Sequence, residues 1–194
     1  DVTFDWDGAS QRTQMSSSDG TFDYVYDGNG NVTSKTTTIP VPGVGSGTAS
    51  GTVTFAYDTS DRLDTITYVS GREVQYTYDN RDWVNGVKSP SVNDYATSIT
   101  RHVNGAIDQI SLGNGATTDY GLDSRYRVST INTSAAAGGV LGLTLSYDLA
   151  GNLKIWDDSL NNTNDRSFTY DDLHRLTGAT TSGLWAGLTL EYDA

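Results

Sequence analysis

The sequence contains no cysteine, three prolines, one methionine and two histidines. Without cysteine there is neither a disulfide framework nor a thiolate metal site. His102 and His174 lie too far apart in the chain to form a local metal pair. No apolar run approaches the roughly 18 residues of a membrane-crossing helix, so membrane insertion by a helix is excluded. Cations are also scarce. Twelve Lys and Arg stand against 24 Asp and Glu, a net charge of −12 that repels phosphate backbones and anionic headgroups and excludes nucleic acid as a partner. The chain starts at Asp1 without a basic-then-apolar leader, and it reads as a piece of a longer polypeptide. What remains plentiful is Gly (21 residues), Tyr (12), Thr, Ser, Asn and Asp, a mixture that favours strands and turns. The fold class is all-β, and 194 residues are enough to bury a core.

One pattern runs through residues 1–194, as a single array. Tyr-Asp is followed, three residues after the Asp, by a turn residue, then a polar residue, then an aliphatic one. The clearest copies are Tyr26-Asp27-Gly28-Asn29-Gly30-Asn31-Val32 and Tyr147-Asp148-Leu149-Ala150-Gly151-Asn152-Leu153. Tyr57-Asp58 to Leu63, Tyr78-Asp79 to Val84 and Tyr170-Asp171 to Leu176 keep the frame with the Gly replaced. Degenerate copies start at Trp6, Arg101 and Leu122, and Tyr192-Asp193 opens another. These nine anchors are 20 to 31 residues apart, so the unit is a supersecondary element with loops of variable length.

The residue two before each anchor is large and apolar, as in Tyr24, Phe55, Tyr76, Leu145 and Phe168, which predicts a strand with one buried face. Beyond the turn, large apolar residues recur at an offset of three, as in Leu63 and Ile66 or Leu153 and Trp156. That offset cannot keep both on one face of a regular strand. Either the first plugs the core from the turn, or a β-bulge restores the phase. Gly-bearing segments, Ser70-Gly71, Gly113-Asn114-Gly115, Ala137-Gly138-Gly139 and Gly178 to Gly183, then read as tips of hairpins. The Asp should accept backbone N–H groups two or three residues on, and the later Gly or Asp should take the left-handed conformation. Each unit is therefore an antiparallel hairpin, and the units build a curled, continuous β-sheet ribbon or partial shell.

Tyr26 to Val32, Tyr147 to Leu153, Tyr170 to Leu176 and the stretch from Leu112-Gly113-Asn114-Gly115 to Val128 resemble the YD repeats of bacterial Rhs proteins, wall-associated proteins, insecticidal toxin-complex subunits and the animal teneurins. The resemblance covers essentially the whole chain. It implies a long sheet that spirals into a hollow shell, which in the toxin-delivery members encloses a toxic C-terminal polypeptide. It further implies a bacterial protein secreted or displayed at the cell surface, no cofactor, no catalytic repeat residue, and further repeats of the parent chain as partners. The self-cleaving core of that family carries an Asp-Pro element, and no Asp-Pro occurs here.

Other chemistry competes with the repeat for the same residues. Asp27 to Asn31, and Asp157, Asp158 and Asp165 with the neighbouring asparagines, carry oxygen ligands of the kind calcium prefers, but turn chemistry accounts for them without a metal. The pairs Asp5 and Asp7, or Asp171 and Asp172, lack the split environments that a glycosidase needs. His102 and His174 occupy turn positions and read as ordinary capping side chains. Trp6, at an anchor, and Trp156, in an apolar slot, are expected to be buried. Trp83, Tyr126 and Trp185 fall off the pattern. Flat rings on a β platform stack on sugar faces, so these three are the candidate carbohydrate-binding residues. Two functions follow: a non-catalytic structural segment that builds a wall, or a module that binds a glycan or a cell-surface partner.

Overall fold

The structure is a computed structural model that describes residues 1–41, 47–90, 94–183 and 187–193. It is all-β and divides into two compact units, Asp1–Tyr95 and Ala96–Ala194. The first holds β1 (Thr3–Trp6), β2 (Arg12–Ser17), β3 (Gly20–Tyr26), β4 (Val32–Pro40), β5 (Thr48–Tyr57), β6 (Leu63–Thr67), β7 (Glu73–Tyr78) and β8 (Val84–Lys88). The second holds β9 (Ala96–Arg101), β10 (Ile107–Leu112), β11 (Thr117–Leu122), β12 (Val128–Ala135), β13 (Gly138–Tyr147), β14 (Leu153–Asp158), β15 (Arg166–Tyr170), β16 (Leu176–Thr181) and β17 (Leu188–Thr189). Within each unit every strand pairs antiparallel with the next one in sequence. A 3-10 turn at Asn162–Asn164 is the one helical element among the described residues. Among the described residues no helix is long and apolar enough to cross a membrane.

The strand boundaries fall on the repeat. Eight strands end at an anchor, namely Trp6, Tyr26, Tyr57, Tyr78, Arg101, Leu122, Tyr147 and Tyr170. Each following strand begins six residues later, at Arg12, Val32, Leu63, Val84, Ile107, Val128, Leu153 or Leu176. The offset of three is absorbed by a β-bulge. Ala56 pairs with Thr65 but Tyr57 with Leu63, which leaves Asp64 extra. Ser146 pairs with Ile155 but Tyr147 with Leu153, which leaves Lys154 extra. The same shift recurs in every one of these hairpins, seven residues past the anchor. One inserted residue turns the second apolar side chain onto the face of the first, so Phe55 lies opposite Ile66, Tyr76 opposite Val87, Tyr120 opposite Ile131 and Leu145 opposite Trp156. The other face carries hydroxyls and amides, with cross-strand bonds such as Thr36 to Thr52, Ser167 to Thr180 and Gln109 to Asp119.

Burial is shallower than the sequence pattern predicts. Only Val74, Ala96, Ala116, Leu143 and Ala179 are buried apolar residues among those described, and no large side chain is completely enclosed. A sheet without a second layer can shield a side chain only with its neighbours in the plane. Trp6, expected to be buried, is 61% exposed, because β1 pairs with β2 alone and its other edge has no neighbouring strand among the described residues. Trp156 is half-buried, with the Arg166 guanidinium 5.5 Å from its ring centre. Cationic stems do part of the covering elsewhere: Arg12 lies 4.8 Å from the Tyr24 ring and Lys35 4.8 Å from Phe22. Gly178, read as part of a tip, instead lies inside β16 opposite Thr169, and the strand continues to Thr181.

Candidate functional site

The recurring chemistry of the chain is concentrated in the anchor turns. In each, the residue after the anchor donates its N–H to the carbonyl four residues on and accepts at its own carbonyl from the N–H three residues on, as Asp58 does with Arg62 and Asp61. The Asp side chain adds to this. One oxygen of Asp58 accepts the N–H groups of Ser60 and Arg62, and Asp7, Asp27, Asp79, Asp123 and Asp171 repeat the arrangement. The acceptor reach is thus two and four residues in these six turns and three and four at Asp148, where two or three was expected. The loop is one residue longer than a simple Asx turn, so its second free N–H falls later.

The fourth residue after each of the first eight anchors is left-handed, whatever its identity: Ser10, Gly30, Asp61, Asp82, Gly105, Tyr126, Gly151 and His174 all have positive φ. Three of the non-glycine choices have a reason in the preceding repeat. The Asp61 carboxylate accepts from Asn29 and Asn31, Asp82 accepts from Arg62 at 2.5 Å, and the His174 Nδ1 accepts from Asn152 at 3.1 Å. Contact with the preceding turn offsets the cost of placing a side chain in that conformation.

The anchors themselves form a second set of joints. The hydroxyl of Tyr26 donates to the Arg12 carbonyl, Tyr57 to Val32, Tyr78 to Leu63, Tyr147 to Val128 and Tyr192 to Leu176, all at 2.7 to 2.9 Å. In each case the acceptor is the first residue of the second strand of the preceding repeat. Where the polar position before that strand is arginine, the guanidinium completes the joint. Arg62, Arg127 and Arg175 each bind their own turn's Asp at 2.6 to 2.7 Å and cover the next anchor ring, Tyr78, Tyr147 or Tyr192, at 4.4 to 4.5 Å. The Tyr170 hydroxyl makes no hydrogen bond among the described residues; its joint rests on Asn152 and His174.

The turn donors stabilise the ionised carboxylates. Asp27, Asp58, Asp123, Asp148 and Asp171 are all lowered from the ordinary 3.8, the largest cause in each being the residue four positions on: the backbone of Asn31 or Arg175, or the side chain of Arg62, Arg127 or Asn152. Tyr57 and Tyr78 are raised above 10.0, first by burial and then by the preceding repeat's Asp27 or Asp58. A lowered carboxylate contributes stability that is complete above 3.8 and disappears as pH falls through the lowered value. A raised phenol contributes stability that is complete below 10.0 and disappears as pH rises through the raised value. The urea midpoint is therefore expected to be flat between these limits and to fall on both sides. Asp58→Asn should flatten the acid limb measurably, and an unchanged limb would show that the turn carboxylate is not its source.

Of the three residues that fall off the repeat, Trp83 and Tyr126 are among the described residues. Trp83, in the first unit, is half-buried and has the Arg81 guanidinium 4.4 Å from its ring centre. Tyr126, in the second, is 66% exposed in a turn. Trp185 lies outside the described residues. Among the calcium candidates, Asp158 is buried, with its oxygens taken by the N–H groups of Leu160 and Asn161 and by the Asn164 amide. Asp165 accepts the Asp158 N–H, and Asp157 is exposed on β14. The Arg clasp at the polar turn position, which completes three of the inter-repeat joints, was not singled out from the sequence; its signal is the recurrence of Arg four residues after the Asp at positions 62, 127 and 175.

Solved structures share this architecture. The chain superposes on a chain of the TcdB2-TccC3 crystal structure with a TM-score of 0.81 over 93% of its length at 18% identity. The Tc holotoxin pore of Photorhabdus luminescens gives the same TM-score, coverage and identity. TcdB2-TccC3 without its hypervariable C-terminal region also matches at a TM-score of 0.81 over 93% of the chain. At this identity the likeness is one of fold. The chain spans about a tenth of the length of these proteins. No protein-family profile matches it, and no curated protein matches it in sequence.

Proposed function

We propose that the chain is a non-catalytic wall segment of a larger Rhs/YD-repeat polypeptide, secreted or displayed at a bacterial surface, whose sheet helps to enclose another part of the parent. The carrying observation is that the motif's distinctive groups are consumed in joining repeats. The Tyr hydroxyls reach the preceding strand, the Asp oxygens bind their own turns, and the Arg guanidiniums bridge Asp to the next ring. The shared fold with much longer Tc toxin chains supports the same reading.

Two measurements test it. Removing residues 57–77, one whole repeat, in frame from the parent polypeptide should leave a folded protein whose enclosed portion becomes cleavable by added protease; unchanged protection would sink the wall reading. The purified chain should show no turnover of chromogenic glycoside, ester or phosphate substrates. Turnover abolished by a single Asp→Asn substitution would revive an enzyme.

A further inference from the structure

The anchor turns of the two units differ in one respect that the repeat does not require. In the first unit the second to fourth residues after each anchor, the turn crests, are all small or polar: Gly8-Ala9-Ser10, Gly28-Asn29-Gly30, Thr59-Ser60-Asp61 and Asn80-Arg81-Asp82. In the second unit each turn carries one large apolar residue among these three positions, Val103 and Leu149 at the second, Leu173 at the third and Tyr126 at the fourth, which are 94, 88, 71 and 66% exposed. The strand order sets these four turns along one edge, and the last three are hydrogen-bonded neighbours, with Arg125 and Arg127 donating to the Leu149 and Asp148 carbonyls and Asn152 to His174. The four apolar crests thus form a row, one per repeat, at steps of roughly 10 Å for two strands each.

Nothing within the unit repays this arrangement. Tyr126 holds the left-handed conformation, φ 63°, where the equivalent Gly30, Gly105 and Gly151 adopt it freely. Its side chain makes no hydrogen bond or cation contact among the described residues, unlike Asp61, Asp82 and His174 at the same position. Between Leu149 and the 170–176 turn lies an open groove of about 430 Å³, lined also by Ala150, Tyr170, Asp148, Asp171 and Asp172. Asp148 and Asp171 are satisfied by their own turns, while the Asp172 carboxylate has no partner among the described residues.

We infer that the apolar crest row of the second unit is a docking surface for an extended polypeptide segment that alternates apolar and basic residues. The occupant follows from complementarity. The row exposes apolar side chains, the groove beside Leu149 offers an unpaired carboxylate, and the chain as a whole carries −12. That charge opposes a second copy of the same chain and an anionic membrane alike. The inference does not rest on the wall reading, because a wall needs no apolar row on its turns.

The test uses a fluorescein-labelled peptide of alternating leucine and lysine, about ten residues long, which at about 3.3 Å per residue covers roughly the 30 Å of the row. Anisotropy should show saturable binding. The Leu149→Ser/Leu173→Ser double variant should weaken it about tenfold or more, and Asp172→Asn should weaken it about threefold. Val25→Ser, an exposed residue of the first unit, should leave it unchanged. Tyr126→Gly should raise the urea midpoint while weakening the peptide, a combination that a purely structural residue would not give. The inference is overturned by an absence of saturable binding, or by binding that the crest substitutions do not touch. Preference for the glutamate version of the peptide, or for phosphatidylglycerol vesicles, also overturns it. So does a concentration-dependent dimer in sedimentation velocity that the same substitutions abolish.

Discussion

Replacing Tyr147 by Phe is expected to lower the free energy of unfolding by about 1 to 2 kcal/mol, because the half-buried Val128 carbonyl loses the hydroxyl that donates to it. Replacement by Ala should cost about 3 kcal/mol, since the ring under the Arg127 guanidinium is lost as well. Urea denaturation measures both. The comparison that isolates the hydroxyl is Tyr170→Phe, where the same chemical change removes no hydrogen bond and the midpoint should scarcely move. Equal losses at 147 and 170 would mean that the hydroxyl joint contributes nothing and that ring packing alone holds the repeats.

The second large effect lies on the opposite edge of the sheet. Gly20 opens β3 with φ 144°, and a Cβ there would strike the Thr38 carbonyl oxygen of β4. Gly20→Ala therefore forces both an unfavourable backbone and a displacement of main chain in the neighbouring strand, at a cost of about 2 to 3 kcal/mol. Gly28→Ala is the control: its Cβ would meet nothing within 4 Å, and its backbone needs no positive φ. A pair of variants with equal unfolding midpoints would refute the assignment of strain to the β2–β3 tip.

Much of this fold is legible in the sequence because the repeat states it many times over. Tyr57 or Tyr147 marks the end of a strand, and the aliphatic residue six positions on marks the start of the next. The bulge at Asp64 or Lys154 is foreshadowed by the offset between Leu63 and Ile66 or between Leu153 and Trp156. What could not be read is whatever depends on the adjacent repeat. Asp61 looks like a poor substitute for Gly until Asn29 and Asn31 of the preceding turn are seen to bind it. Arg62 looks like a solvated polar residue until it is found between Asp58 and Tyr78. Trp6 follows the anchor rule locally, yet its exposure follows from β1 having one neighbouring strand among the described residues, a property that no local pattern encodes. Gly20 is one of 21 glycines, and only the close approach of β4 distinguishes it.

The Tyr hydroxyl joint has a direction. Tyr57 rests on Val32, Tyr78 on Leu63 and Tyr147 on Val128, always on a carbonyl nearer the start of the chain, and the arginine that covers each ring also comes from the earlier turn. During synthesis the acceptor and the guanidinium are thus in place before the tyrosine that needs them leaves the ribosome. Tyr192 illustrates the outcome: it is already held by Leu176 and Arg175 although no strand follows it among the described residues. An array wired this way closes like a zipper drawn from one end, and at each moment its open edge need be no longer than a single hairpin, which limits the unpaired strand available for aggregation while the protein is being made.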